Sequence, residues 1–167
     1  MSHVEHRAAA PASVRVFVLT ISDTRTLDTD TSGGAIASLL EHAGHVVADR
    51  AWVRDDRAAV RRAFTDALAR PDVQVVISTG GTGVASRDQT CEVVTDLLEK
   101  RIDGFGELFR MLSYQEIGAA AMLSRAAAGA ARGKILVALP GSEAAVRLAM
   151  TKLLLPELGH LVREATR

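Results

Sequence analysis

The sequence contains a single cysteine, Cys91, so no disulfide can form within the chain. That favours a reducing compartment, and the cytoplasm is the expected location. Neither sign of charge is in excess, since lysine plus arginine and aspartate plus glutamate number 20 each. Without a basic surplus nothing points to nucleic acid, and without an acidic tail nothing points to a basic partner. Long apolar runs are missing too. None approaches the roughly 20 residues of a membrane-spanning helix, so no membrane role is expected. Residues 1–13, MSHVEHRAAAPAS, lack the apolar segment of a signal peptide and are expected to form a disordered tail. His42, His45 and His160 show no metal-ligand spacing with one another or with Cys91. Cys91 has no evident histidine partner and is expected to be a small packing residue.

What remains is a chain of 167 residues, 48% apolar and 24% charged, which suits one domain with a sizeable core over residues 14–167. Zero net charge weakens self-repulsion and is compatible with self-association. VRVFVLTI (14–21), HVVADRAWV (45–53), VQVVIS (73–78) and KILVAL (134–139) have the β-branched, apolar character of buried strands. Helical spacing lies between them. Ser32 is the expected cap for Ile36, Leu39, Leu40 and Ala43, and Gly44 ends that helix. Asp55 is a possible cap for Val60, Ala63, Phe64, Ala67 and Leu68, with Pro71 as the stop. Val93, Val94, Leu97 and Leu98 mark a third helix. Residues 104–131 suggest two short helices, and 143–164 a final helical region interrupted or restarted at Pro156. Strands alternating with helices imply a mainly parallel sheet covered on both faces, an α/β fold.

Ligands of open parallel sheets bind beyond the carboxyl ends of the strands. Ser22-Asp23, Gly80–Asp88 and Pro140-Gly141-Ser142 all hold that position, and their strands should bring them to one cleft. The stretch STGGTGVASRDQT (78–90) is the most informative. Gly80, Gly81 and Gly83 let backbone amides approach an anion, and Ser78, Thr79 and Thr82 add hydroxyl groups. The spacing is neither that of a P-loop nor that of a dinucleotide fingerprint, so the loop alone is either an oxyanion cradle or a plain turn. A carboxylate beside a phosphate is repelled unless a cation lies between them, so Asp88 either caps a helix or holds Mg²⁺. Thr90 is the better cap, which leaves Asp88 free. Arg87 either steers anions or is a solvated surface charge. Asp55 and Asp56 carry the same choice between capping and chemistry.

Several motifs together are similar to one family. STGGTGVASRDQT, GFGELFRMLSYQEIG, AMLSRAAAG and LPGS, with TISDTR…DTSG near the start, resemble the MoaB/MogA family of molybdenum cofactor biosynthesis proteins, most closely its MoaB branch. The resemblance covers about residues 14–160. It implies a three-layer α/β/α sandwich that assembles as trimers or dimers of trimers. It also implies Mg²⁺-dependent adenylylation of molybdopterin by ATP, releasing pyrophosphate, before a molybdate-insertion protein acts. By the same resemblance Asp55 and Asp88 are the catalytic and metal-binding carboxylates. Thr79, Gly80, Gly81, Thr82 and Gly83 are the loop beside pterin and phosphate, with Arg87 and Thr90 in the same segment. Ser22, Asp23, Ser124, Arg125, Pro140, Gly141 and Ser142 fall on other segments of the cleft. Gly104, Gly106 and Glu107 belong to the GFGE signature. Relatives that transfer AMP carry RD-x-T-P-E, and here Cys91 takes the place of that proline. The alternative implied role is a non-catalytic molybdopterin carrier, which needs the pocket but not both aspartates.

Overall fold

The computed structural model describes residues 3–167. Six strands form one sheet in the order β2-β1-β3-β6-β5-β4. They are β1 (Arg15–Ile21), β2 (Val46–Val53), β3 (Val75–Thr79), β4 (Lys100–Arg101), β5 (Ala127–Ala131) and β6 (Lys134–Leu139). The first three and β6 run parallel, while β5 and β4 complete one edge in antiparallel pairing. The helices are α1 (His3–Ala8), α2 (Thr31–His42), α3 (Arg57–Ala69), α4 (Thr90–Leu97), α5 (Asp103–Ile117), α6 (Glu143–Ala149) and α7 (Leu155–Ala165). No helix among the described residues is long and apolar enough to cross a membrane.

Strand side chains alternate between the two faces, and the sheet accordingly separates two cores. Val16, Val18, Val75, Ile77, Ile135 and Val137 face α2, α5, α6 and α7. Phe17, Leu19, Ile21, Val76, Leu136 and Ala138 face α3 and α4. Strands buried on both sides explain the unbroken apolar runs of β1, β3 and β6.

Several expectations change. Residues 127–131 form a strand, although their alanine content suggests a helix. The reason lies one step on, where Arg132 and Gly133 have φ of 52° and 70° and close a two-residue hairpin into β6. The second expected helix of 104–131 shrinks to a 3₁₀ segment, Gly118–Leu123, behind the long α5. Asp30, not Ser32, caps α2, accepting from Gly33 N–H at 2.8 Å. Asp56, not Asp55, caps α3, accepting from Ala59 N–H at 2.9 Å. Thr90 is the first residue of α4 and not its cap.

Of the expected disordered tail, residues 3–8 form α1, and residues 1–2 lie outside the described residues. Arg7 ties α1 to α7 through the Pro156 carbonyl at 3.0 Å and the Glu157 carboxylate at 2.7 Å. The helical stretch 143–165 is continuous, with a π-helical turn at Met150–Leu154 just before Pro156. A wider turn there accommodates a residue that lacks an N–H and crowds the carbonyl four positions back.

Candidate functional site

The chain passes from β1 to β2 on one side and then crosses back to β3 on the other. The strand order therefore reverses between β1 and β3, and that is where a crevice opens at the carboxyl ends of such sheets. A cleft of about 280 Å³ lies there. Its floor is the ends of β1 and β3, Thr20 to Asp23 and Thr79 to Gly83, with Asp55, Arg87 and Gly141 around it. Cross-links between the loops hold it together. Gly80 N–H donates to Leu139 O at 3.0 Å, the Thr79 hydroxyl to Pro140 O at 2.8 Å, and the Ser32 hydroxyl to Gly141 O at 2.7 Å.

Gly80 and Gly81 have φ of 103° and 67°, a region L side chains avoid. That conformation turns the loop at the sheet edge and brings Gly80 against the Ile21 carbonyl and Gly81 against the Thr90 hydroxyl and Asp55. The N–H groups of Gly81, Thr82 and Gly83 make no hydrogen bond among the described residues. Clustered free amides are an anion cradle. Arg125 supports the loop from beneath by donating to the Gly83 carbonyl at 3.2 Å, and it pairs with Glu92. Arg125 is thus a brace for the cradle. The fully buried Thr90 hydroxyl has no partner, and the Thr90 N–H donates to Gly81 O at 3.0 Å. Cys91 beside it is buried, and burial pushes its thiol up in pKa against the pull of Arg125, which suits a packing residue and not a nucleophile.

With Asp56 taking the cap, Asp55 is left for other work. Its N–H donates to Asp23 Oδ1 at 3.0 Å, while its own Oδ1 is buried without a partner. Burial, then the neighbouring Asp88 charge and a shared hydrogen bond with Asp88, and then Asp23 push the Asp55 carboxyl up to about 6, against the opposing pull of Arg87. Asp88 sits over Gly83 and accepts from Ala85 N–H at 3.1 Å. Like charges gathered around an orphaned oxygen are the electrostatic situation a cation relieves, and an all-oxygen donor set suits Mg²⁺. Among the described residues no group of three or more His, Cys, Asp or Glu is arranged to hold a metal by itself. Phosphate oxygens of a ligand would have to complete the shell.

The raised Asp55 carboxyl has a consequence for stability. The folded state holds this proton more tightly than the unfolded chain. Its stabilising contribution is therefore full below about pH 4 and is lost as pH rises through about 6. Asp55 is partly exposed, so screening limits the loss to about 1 kcal/mol or less. Asp55→Asn should remove that slope, and thermal melts at pH 4.5 and pH 7.5 would show it. An unchanged slope in the variant would place the titration elsewhere.

The remaining expected residues are distributed around the fold. Ser22, Asp23, Thr79–Gly83, Arg87 and Gly141 share the cleft with Asp55. Gly106 and Glu107 line a separate hollow between α5 and β5, and Gly104 lines an apolar groove between α5 and α7. Ser124, Pro140 and Ser142 border a small pocket behind the cleft, where Ser142 caps α6. Six further residues line the cleft, Thr20, Ile21, Thr24, Arg25, Asp30 and Ser32. Thr20 and Ile21 close the buried strand β1, and that position alone would have marked them. Arg25 Nη1 reaches the Ser32 hydroxyl at 3.5 Å and has no carboxylate partner among the described residues, whereas Arg87 approaches Asp23 at 3.6 Å.

Residues 17–160 match a family described as "Probable molybdopterin binding domain". A protein named molybdenum cofactor biosynthesis protein B, from Halalkalibacterium halodurans, is 51% identical over 165 residues, 98% of this chain and 97% of that one. A crystal structure of a molybdenum cofactor biosynthesis protein B superposes with a TM-score of 0.90 at 52% identity, covering 93% of this chain and 98% of the other. The tungsten cofactor synthesizing protein MoaB from Pyrococcus furiosus superposes with a TM-score of 0.84 at 35% identity, covering 95% and 100%.

Proposed function

This chain belongs to the molybdenum cofactor biosynthesis protein B family, built on a molybdopterin-binding domain, and we propose that it transfers AMP from ATP to molybdopterin. The observation that carries this reading beyond pterin binding is the Asp55–Asp88 pair at the edge of the amide cradle. A pocket that only held a pterin phosphate would gain from cations and lose from two carboxylates. Carboxylates beside an anion cradle make sense where phosphate is handled together with a divalent cation.

In the reaction, a terminal phosphate oxygen of molybdopterin forms a bond to the α-phosphorus of ATP. The bond to the β-phosphate breaks, and pyrophosphate leaves with its electron pair. Nucleophile and leaving group both belong to the substrates, so the protein's work is positioning and charge stabilisation. The free amides of Gly81, Thr82 and Gly83 would hold phosphate oxygens. Arg25 and Arg87 line the same cleft and would meet the remaining phosphate charge. Asp55 and Asp88 would hold Mg²⁺, which when bound supplies neutralisation of the phosphates. The product would pass to a protein that inserts molybdate.

Self-association is part of the proposal. Leu108, Met111, Tyr114 and Ile117 of α5 and Met122 and Leu123 of the following segment are about half exposed or more, 48% to 75%. An apolar surface of this kind on one helix and its extension suits a subunit interface. Light scattering at the mass of one subunit would overturn this part.

Purified protein mixed with molybdopterin, ATP and Mg²⁺ is expected to yield adenylylated pterin and one pyrophosphate for each. Tight pterin binding with no adenylylated product would make the chain a carrier and end the enzymatic reading.

A further inference from the structure

Helix α3 begins at Arg57, two residues after Asp55. An arginine is a poor choice there, because a cation at the first position of a helix opposes the helix dipole. The Asp56 cap offsets that cost in part, and the first turn itself holds no acidic residue. A residue that does not favour its own helix directs attention to what its side chain reaches.

The side chain of Arg57 reaches across to α4. Nη1 donates to Gln89 Oε1 at 2.7 Å and Nη2 to Asp96 Oδ2 at 2.7 Å. Gln89 follows Asp88 directly, and its Nε2 donates to Ser86 O at 2.8 Å. The turn closed in this way also contains Asp88 N–H to Ala85 O at 3.0 Å and Ala85 N–H to Asp88 Oδ2 at 3.1 Å. One guanidinium therefore connects the first turn of α3, just after Asp55, to the turn that carries Asp88. On the other side, Asp55 is held through its N–H by Asp23.

We propose that Arg57 is a positioning residue that sets the separation of the Asp55 and Asp88 carboxylates by clamping the start of α3 to the Ser86–Gln89 turn. Its consequence for catalysis rests on the AMP-transfer reading above, but the clamp itself does not. As an ion pair Arg57–Asp96 is ordinary, with both side chains 49% exposed, and such pairs add little to global stability. The importance of Arg57 lies in local order and in cation binding.

The test compares full-length wild type with Arg57→Ala, Arg57→Lys and Gln89→Ala. Arg61→Ala is the control, because Arg61 only approaches Asp96, at 3.9 Å, and does not touch the turn. Hydrogen exchange at the amides of residues 85–89 should become about threefold faster or more in Arg57→Ala and Gln89→Ala, with little change in melting temperature. Lysine can make one of the two bonds but not both, so Arg57→Lys should fall between. In the AMP-transfer assay, Arg57→Ala should raise the Mg²⁺ concentration needed for half-maximal rate by about tenfold, with molybdopterin affinity unchanged. Wild-type exchange in Arg57→Ala, or an equal effect in Arg61→Ala, would overturn the clamp. Faster exchange in a protein that transfers no AMP would keep the clamp and reject the enzymatic reading.

Discussion

Asp88→Asn is expected to lower the rate of AMP transfer by about a hundredfold or more while the protein stays folded. The substitution is nearly isosteric. The asparagine carbonyl oxygen can still accept from Ala85 N–H, the bond that shapes the turn. What disappears is the negative charge, half of the pair proposed to hold Mg²⁺ against the phosphates. A neutral amide is a much weaker ligand for a hard cation. The variant should also melt no lower than wild type at neutral pH, and slightly higher. Asp88 is the largest charge effect among those that, after burial, raise the Asp55 carboxyl, so its removal relieves that repulsion. Loss of activity with unchanged or improved stability separates a chemical role from a structural one. Initial rates at saturating ATP and Mg²⁺, with thermal melts on the same samples, measure both. Wild-type turnover in Asp88→Asn would remove this residue from the mechanism.

The sheet was legible because its central strands are buried on both faces, so their apolar runs needed no pairing information to be recognised. The position of the glycine loop followed from the same fact, since a strand leading directly into STGGTG places the loop at the ligand edge. The antiparallel edge was hidden by composition. Ala127 to Ala131 has helical propensity throughout, and only the short Arg132-Gly133 turn marks the hairpin. Propensity yields to pairing when a neighbouring strand offers a ladder. At α2 and α3 two or more capping side chains lie within two residues of each other, and periodicity does not choose between them. At α3 this mattered for function, because giving the cap to Asp56 releases Asp55. Cleft residues such as Arg25 and Asp30 come from the polar stretch between β1 and α2, which has no periodicity to read. Only the fold reveals that it turns back over the sheet edge.

Gly80→Ala should be the most destabilising single change at the site. Gly80 lies where β1, β3 and β6 end together. Its N–H binds Leu139 O, and an added Cβ would overlap the Ile21 carbonyl oxygen. Two costs combine. Alanine at φ of 103° is strained by about 1–2 kcal/mol. The colliding atom is backbone in a strand paired on both sides, so it cannot swing away as a side chain would, and relief requires moving the end of β1. A total of about 3–4 kcal/mol is expected, a fall of roughly 6–16 °C in melting temperature for a domain of this size. Gly44→Ala separates the two contributions. Gly44 also has positive φ, 84°, but nothing lies within 4 Å of the position its Cβ would take. It should therefore lose only the strain, about 1–2 kcal/mol. The difference between the variants measures how rigidly the glycine loop is held against β1. Pterin affinity should follow the same difference, since moving the end of β1 shifts Ser22 and Asp23 relative to the amides of Gly81 to Gly83. If Gly80→Ala melts no lower than Gly44→Ala, the sheet edge yields freely, and the cleft is not the preorganised cradle that positioning of two phosphates requires.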